Sequence, residues 1–400
     1  MIHAVDKLHT AAHKNERIIL GLMSGTSLDG LDMALCSISG CGLQTKVKLL
    51  HFETVPFEQD FKQEIKNIFS KKQVDFEKLT LLHPWVALQH AANINATLNK
   101  WQIDKSDVDL IASHGQTVYH APQSLHGQEK FGNATLQIGD GDHLAVATGI
   151  TVISDFRQKN IAAGGEGAPL AVYGDYLVFG KEAEDRILLN IGGISNFTFL
   201  PGSMNSKEIF STDTGPGNTL MDAFVQQHFP GRYFDEDATL AKQGTVNEDL
   251  LAALKKNSFF TAPFPKTTGP ELFNLRLLDD AMLQSRTTTI SNNDILATLN
   301  QFTADSIADA VRSTLGKEKS ATVFLSGGGT HNPLLVAHLK RALPQCSFEN
   351  TASLGIHPDA KEAVLFAILA NECISGDGSY FAKGVKGMPA ISMGKISFPQ

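Results

Sequence analysis

Asp213 stands in "STDTGPGN", residues 211–218. Gly215, Pro216 and Gly217 predict a fixed turn there, with a helix starting near Thr219. A carboxylate held rigidly beside a reacting group is what a general base requires. An Asx-turn or a helix cap is the simpler account of this stretch taken alone. Three further stretches bear on it. "RIILGLMSGTSLDGLDMALCSI", Arg17–Ile38, sets Ser24, Gly25, Thr26, Ser27, Asp29 and Gly30 between two apolar runs. "RILLNIGGISNFTFL", Arg186–Leu200, repeats the layout around Gly192 and Gly193. "FLSGGGTHNPLL" puts Gly327, Gly328 and Gly329 between a strand and a helix. Backbone N–H groups of such turns form anion-binding concavities, and helix N-termini favour negative groups. Two glycine hairpins facing each other suit a nucleoside triphosphate. Either hairpin taken alone reads better as a plain hairpin with a loose loop. No GxxxxGK[ST] loop occurs, so the phosphates would be held by a device other than the P-loop.

The elements that must position these residues alternate between strand and helix. Strands are predicted at 18–23, 31–38, 47–54, 110–113, 135–138 and 151–154, and helices at 57–69, 76–100 and 143–148. After the second hairpin come helices near 220–228, 247–256, 291–315, 333–343 and 359–373, with a strand at 322–325. The class is α/β. The segment 258–275, "SFFTAPFPKTTGPELFNL", is rich in Pro and Phe and reads as a wrapped surface or an apolar interface. Residues 1–16 read as a frayed extension without a signal-peptide core.

The chain has 400 residues, 42% hydrophobic and 19% charged, enough for two domains or two lobes. A net charge of −8 argues against a nucleic-acid surface. No apolar run spans a membrane. Cys36, Cys41, Cys346 and Cys373 fit no zinc spacing and read as reduced thiols of a cytoplasmic protein.

Two glycine hairpins, a triple-glycine strand–helix turn and an Asp-Gly-Pro-Gly stretch, in this order, resemble the actin/hexokinase/Hsp70-like superfamily. "GLMSGTSLDGLD", "SHGQT", "QIGDG", "DFRQKNIAAGGEGAPL", "LNIGGISN", "DTGPGN" and "SGGGTHN" together resemble the anhydro-N-acetylmuramic acid kinases. The resemblance implies a two-lobed actin-like ATPase (ribonuclease H-like) fold with a central cleft. Residues 1–155 plus about 375–400 would form the first lobe, and 156–374 the second. It implies hydrolytic opening of a 1,6-anhydro amino sugar with ATP-dependent phosphorylation of O6, in cell-wall recycling. Asp213 would be the base. Thr117, Asp155, Arg157, Lys159 and Glu362 would contact the sugar. Ser24, Gly25, Thr26, Ser27, Asp29, Gly30, Gly192, Gly193 and Gly327–Gly329 would face ATP, with Asp29 toward Mg²⁺. A homodimer is also implied, with segment 258–275 offering apolar contact surface.

One loop departs from the family's usual DFRxxDxAxGGQGAPL. Asn160 replaces Asp, Glu166 replaces Gln, and Gln158 and Lys159 stand where arginines are frequent. Compensated loss of opposite charges is one reading. A shifted substrate preference is the other, because lysine lacks arginine's planar fork. A kinase for a different sugar, or a sugar- or nucleotide-sensing module, are the competing functions.

Overall fold

The computed structural model describes residues 2–25, 27–168, 170–316, 319–351, 355–376 and 389–400. The chain divides into two compact units, residues 1–180 with 355–400, and residues 181–354. Residues 156–180 and the last long helix therefore belong with the first unit, not with the second as the expected boundary at 155 had it.

In the first unit the order is α1 (Ile2–His13), β1 (Glu16–Ser24), β2 (Gly30–Ser39), β3 (Lys46–Pro56), α2 (Gln59–Ile68), α3 (Phe76–Trp101), β4 (Leu110–Ala121), α4 (Gln123–His126), β5 (Ala134–Ile138), α5 (Gly141–Thr148), β6 (Val152–Ser154), α6 (Phe156–Ala162) and α7 (Ala171–Phe179). The second unit holds β7 (Arg186–Ile191), β8 (Ile194–Leu200), β9 (Phe210–Pro216), α8 (Thr219–His228), α9 (Glu248–Leu254), α10 (Leu275–Ser285), α11 (Asn292–Leu315), β10 (Thr322–Ser326), α12 (Pro333–Ala342) and β11 (Ser347–Asn350). The chain then returns to the first unit with α13 (Lys361–Ser375) and β12 (Lys395–Ser397).

The two sheets repeat one topology. The first runs β12-β6-β4-β1-β2-β3, with β5 beside β4, and the second β11-β10-β7-β8-β9. In each, three strands form an antiparallel meander, β1-β2-β3 or β7-β8-β9. The first strand of each meander then pairs parallel with a later strand, β4 or β10. This duplicated order is the expected ribonuclease H-like, actin-like fold, with one glycine hairpin in each sheet.

Sequence accounts for the layering. β1 is apolar along nearly its whole length and is buried between neighbours, whereas the outer β3 alternates and is half exposed. α13 is buried from Ala363 to Glu372 because it is hydrophobic on all sides. It lies so close to β1 that a Cβ at Gly21 would sit 1.9 Å from the Ala363 carbonyl oxygen. Long helices start at side-chain caps: Asp75 accepts from Lys78 N–H at 3.1 Å, and Ser291 from Asp294 N–H at 3.1 Å.

Three expectations are corrected. Residues 2–16 are not frayed, because α1 packs on α13, with Ala4 and Ala11 buried. Arg17 closes its end, donating from Nη1 to the Lys14 carbonyl at 2.5 Å. β4 does not end at Ser113; it runs on through "HGQTVYHA" because β5 pairs with that half. The Phe-rich segment is not an apolar surface: Phe259 and Phe273 are buried in the core of the second unit, with Phe260 packed against them. No described helix is long and apolar enough to cross a membrane.

Candidate active site

The first hairpin's turn opens at Gly25 and closes where Leu28 N–H donates to the Gly25 carbonyl at 3.3 Å. Leu28 anchors it by burying its side chain in the core. Ser24 is not in the turn. It ends β1, buried, and its hydroxyl donates to Gln116 Oε1. Gln116 Nε2 in turn donates to the Gly25 carbonyl at 3.4 Å. Ser27 and Asp29 are exposed, Gly30 begins β2, and Thr26 lies outside the described residues. Asp32 follows in β2 and accepts from the Thr54 hydroxyl at 2.6 Å. Burial pushes its carboxyl above the usual range, and Asp359 and Asp29 add repulsion. Among the described residues no three His, Cys, Asp or Glu side chains gather into a metal cage. The one exposed carboxylate of this turn, Asp29, is a donor of the kind that suits Mg²⁺, which keeps several waters and takes few protein oxygens.

The sugar-side candidates of the first unit lie on β4, α6 and α13. Thr117 is half-buried on β4 and accepts from Gln137 Nε2 at 3.2 Å. Arg157, in the first turn of α6, donates from Nε to His114 Nε2 at 2.9 Å and from Nη1 to the Gly167 carbonyl at 2.8 Å. Glu362 opens α13 beside it. The surrounding protein displaces water and raises the Glu362 carboxyl, while Arg157 and Lys361 oppose the rise. Asp155 lines a small pocket with His114 and Gln137, the partners of Arg157 and Thr117, whereas Lys159 does not join this group. Asp155, with φ 55°, pairs with Lys395 at 2.7 Å. Lys159 lines a surface groove with Cys373 and residues near the C-terminus.

In the second unit, Asp213 lies within β9, not on a turn, opposite Asn196 of β8. Gly217 makes the turn instead, and α8 follows. Asp213 Oδ2 accepts from the Thr268 backbone N–H at 2.7 Å, while the Asp213 N–H donates to the Lys266 carbonyl at 2.9 Å. Oδ1 has no partner among the described residues. Burial raises the carboxyl, and the Thr268 N–H partly offsets this. The second glycine turn, Gly192–Gly193, is braced from behind. Its two carbonyls accept from the N–H groups of Gly217, Asn218 and Thr219 at 2.8–3.1 Å. A Cβ on Gly217 would stand 2.2 Å from the Gly192 oxygen, so only glycine fits. Gly327 and Gly329 press against Asn190 and Ile191 at the end of β7. The triple-glycine turn and the second hairpin thus meet in one place.

A family model described as anhydro-N-acetylmuramic acid kinase matches residues 17–398. The anhydro-N-acetylmuramic acid kinase of Pseudoalteromonas atlantica is 55% identical over 99% of each chain. That of Pseudoalteromonas translucida is 53% identical over 98% of each, and that of Caldanaerobacter subterraneus 39% identical over 98% of this chain and 100% of its own. The chain belongs to the anhydro-N-acetylmuramic acid kinase family. Membership makes it a phosphotransferase and brings ATP use with it.

The departure at residue 160 has a local explanation within this kinase. Asn160 is buried. Its Nδ2 donates to the Tyr173 hydroxyl at 3.0 Å and its Oδ1 accepts from Gly167 N–H at 2.9 Å. The Tyr173 hydroxyl donates to the Pro389 carbonyl at 3.2 Å and so needs a donor in return, which an amide supplies and a carboxylate could not. It holds the loop that carries the Gly167 carbonyl to Arg157. The sequence reasoning missed Gln116, His114, Asp32 and Thr268. The first two stand in the quoted "SHGQT", and Asp32 closes "GTSLDGLD", so a signal was present. Thr268 carried none, because its role is a backbone one.

Proposed function

We propose that the chain opens the 1,6-anhydro ring of anhydro-N-acetylmuramic acid with water and transfers the ATP γ-phosphoryl group to O6. The product is N-acetylmuramic acid 6-phosphate, in a cytoplasmic recycling route for peptidoglycan sugars. One observation carries the reading: Asp213 has one oxygen fixed by the Thr268 N–H and the other unpartnered. Thr268 orients the carboxylate, and Oδ1 takes the proton of the attacking water. The new bond forms between that water's oxygen and the anomeric carbon. The anomeric carbon–O6 bond breaks, and O6 accepts the phosphoryl group as ADP leaves. The proton on Asp213 returns to solvent. Arg157 and Thr117 hold the sugar, with Glu362 beside them. In the first unit the turn 25–30, and in the second the glycines at 192–193 and 327–329, are assigned to phosphate groups of ATP, where positioning and charge stabilisation dominate. Mg²⁺, toward Asp29, would neutralise phosphate charge. Four free thiols among the described residues support a reducing compartment.

The test is turnover in ¹⁸O-labelled water with ATP, Mg²⁺ and the anhydro sugar. A sugar phosphate labelled at its anomeric hydroxyl is expected. ATP binding without product would make the chain a sensor, and an unlabelled product would remove water, and Asp213 with it, from ring opening.

A further inference from the structure

His114 is fully enclosed, yet no core packing argument requires an imidazole there. Its Nε2 receives the Arg157 Nε–H at 2.9 Å. A guanidinium only donates, so Nε2 must carry a lone pair and the ring proton must sit on Nδ1. Nδ1 is buried and faces the backbone at Gly115 and Ser24, without a hydrogen bond of good geometry. One ring therefore stands between the end of β1, where the first glycine turn begins, and the arginine of the sugar side. The ring is also pinned from α13. Phe366 packs on it with centroids 4.8 Å apart, and Phe156 packs on Phe366 at 5.3 Å. Phe366 follows Glu362 by one helical turn, so the helix that supports the imidazole also presents the carboxylate beside Arg157.

We infer that His114 is a positioning residue for substrate binding: as a neutral hydrogen-bond acceptor at Nε2 it fixes the plane of the Arg157 guanidinium. With Nε held by His114 and Nη1 by the Gly167 carbonyl, two corners of a rigid planar fork are fixed. The third, Nη2, has no partner among the described residues and is left for an anionic or carbonyl oxygen of the sugar. A histidine that charged would repel the guanidinium. Burial first, and Arg157 second, depress its pKa to about 3, so it stays an acceptor at working pH. This inference rests on Arg157 touching the sugar, as proposed above.

Four kinetic variants and one spectrum test it. His114→Phe keeps a flat ring but removes the acceptor. It should raise KM for the anhydro sugar by roughly 10-fold or more, with KM for ATP changed less than about 2-fold, since misplacing a binding group costs that order. His114→Gln, whose amide oxygen can accept from Nε, should recover most of the loss. In an Arg157→Met background, His114→Phe should add nothing further. Equal defects in the Phe and Gln variants, or additivity with Arg157→Met, would overturn the positioning role. Nitrogen-15 NMR of histidine-labelled protein should show Nδ1 protonated and Nε2 bare, unchanged from pH 5 to 8. A ring titrating in that range, or protonated at Nε2, would overturn the geometry. If Arg157→Met leaves the sugar KM unchanged while the spectrum is as expected, the assignment of Arg157 to the sugar fails, and the positioning role falls with it.

Discussion

The two glycine hairpins have the same strand order and opposite support. In the second unit the tip is a closed bracket, with both turn carbonyls engaged by the start of α8 and glycine enforced at 217 by contact. In the first unit the described residues of the tip are tied at its root, by Leu28 below and by Gln116 across from β4. Around Gly25 there is room: a Cβ there would meet nothing nearer than Ser27 Oγ at 3.6 Å. Asp213, the proposed base, lies in the same sheet as the braced turn, on β9. The first turn presents the exposed Ser27 and Asp29, the groups proposed to face a polyphosphate.

The sharpest way to break this contrast is to remove the base from the braced side. Asp213→Asn keeps the Thr268 contact but cannot take a proton. Turnover should fall ~10²–10⁴-fold, with ATP affinity little changed in a titration. Asp155→Asn, which loses its ion pair with Lys395, should stay within a few-fold. A dead Asp155→Asn variant with an active Asp213→Asn variant would move the base to the other unit. The raised carboxyl at Asp213 also places the acidic limb of the rate profile above that of an ordinary aspartate.

Acid should separate the two units next. His90 and His114, both in the first unit, have pKa values pushed by burial to about 4 and about 3 against 6.5 when unfolded. The unfolded chain then binds more protons, so stability is full above about pH 6.5 and falls as pH drops toward those values. Each histidine contributes up to ~1.4 kcal/mol per pH unit in that window. Hydrogen exchange at pH 5 should show loss of protection first in the first unit, and His90→Leu should flatten its pH slope. Protection lost first in the second unit would reverse the assignment.

Two glycine substitutions sharpen the contrast further. Gly217→Ala must push the Gly192 carbonyl aside and should cost about 1–3 kcal/mol in chemical denaturation. Gly25→Ala should change stability by less than about 0.5 kcal/mol. If Gly25→Ala nevertheless weakens ATP binding, the residue there is set by close approach of the nucleotide and not by folding.

What could be read in advance was what depends on neighbours along the chain. Alternation and apolar runs placed most strands and helices, and glycine turns marked both hairpins. What failed was set by partners far away. β4 continued past Ser113 because β5 lay beside it, and α1 formed because α13 and Arg17 received it. The aromatic segment turned inward because the second unit's core took it in.

The same division holds at the site. Residue types and order alone determined the α/β class, the paired glycine hairpins, the aspartate of "DTGPGN" and the family resemblance, because these reside in short contiguous stretches. Tertiary structure decided which oxygen of Asp213 is held, through a backbone N–H 55 residues away. It decided that Arg157 is braced by a histidine 43 residues earlier, while Lys159 looks elsewhere. It also decided that Asn160 holds the loop whose Gly167 carbonyl meets Arg157. Hydrogen bonds and burial act through space, and strand pairing sets which distant residues share that space.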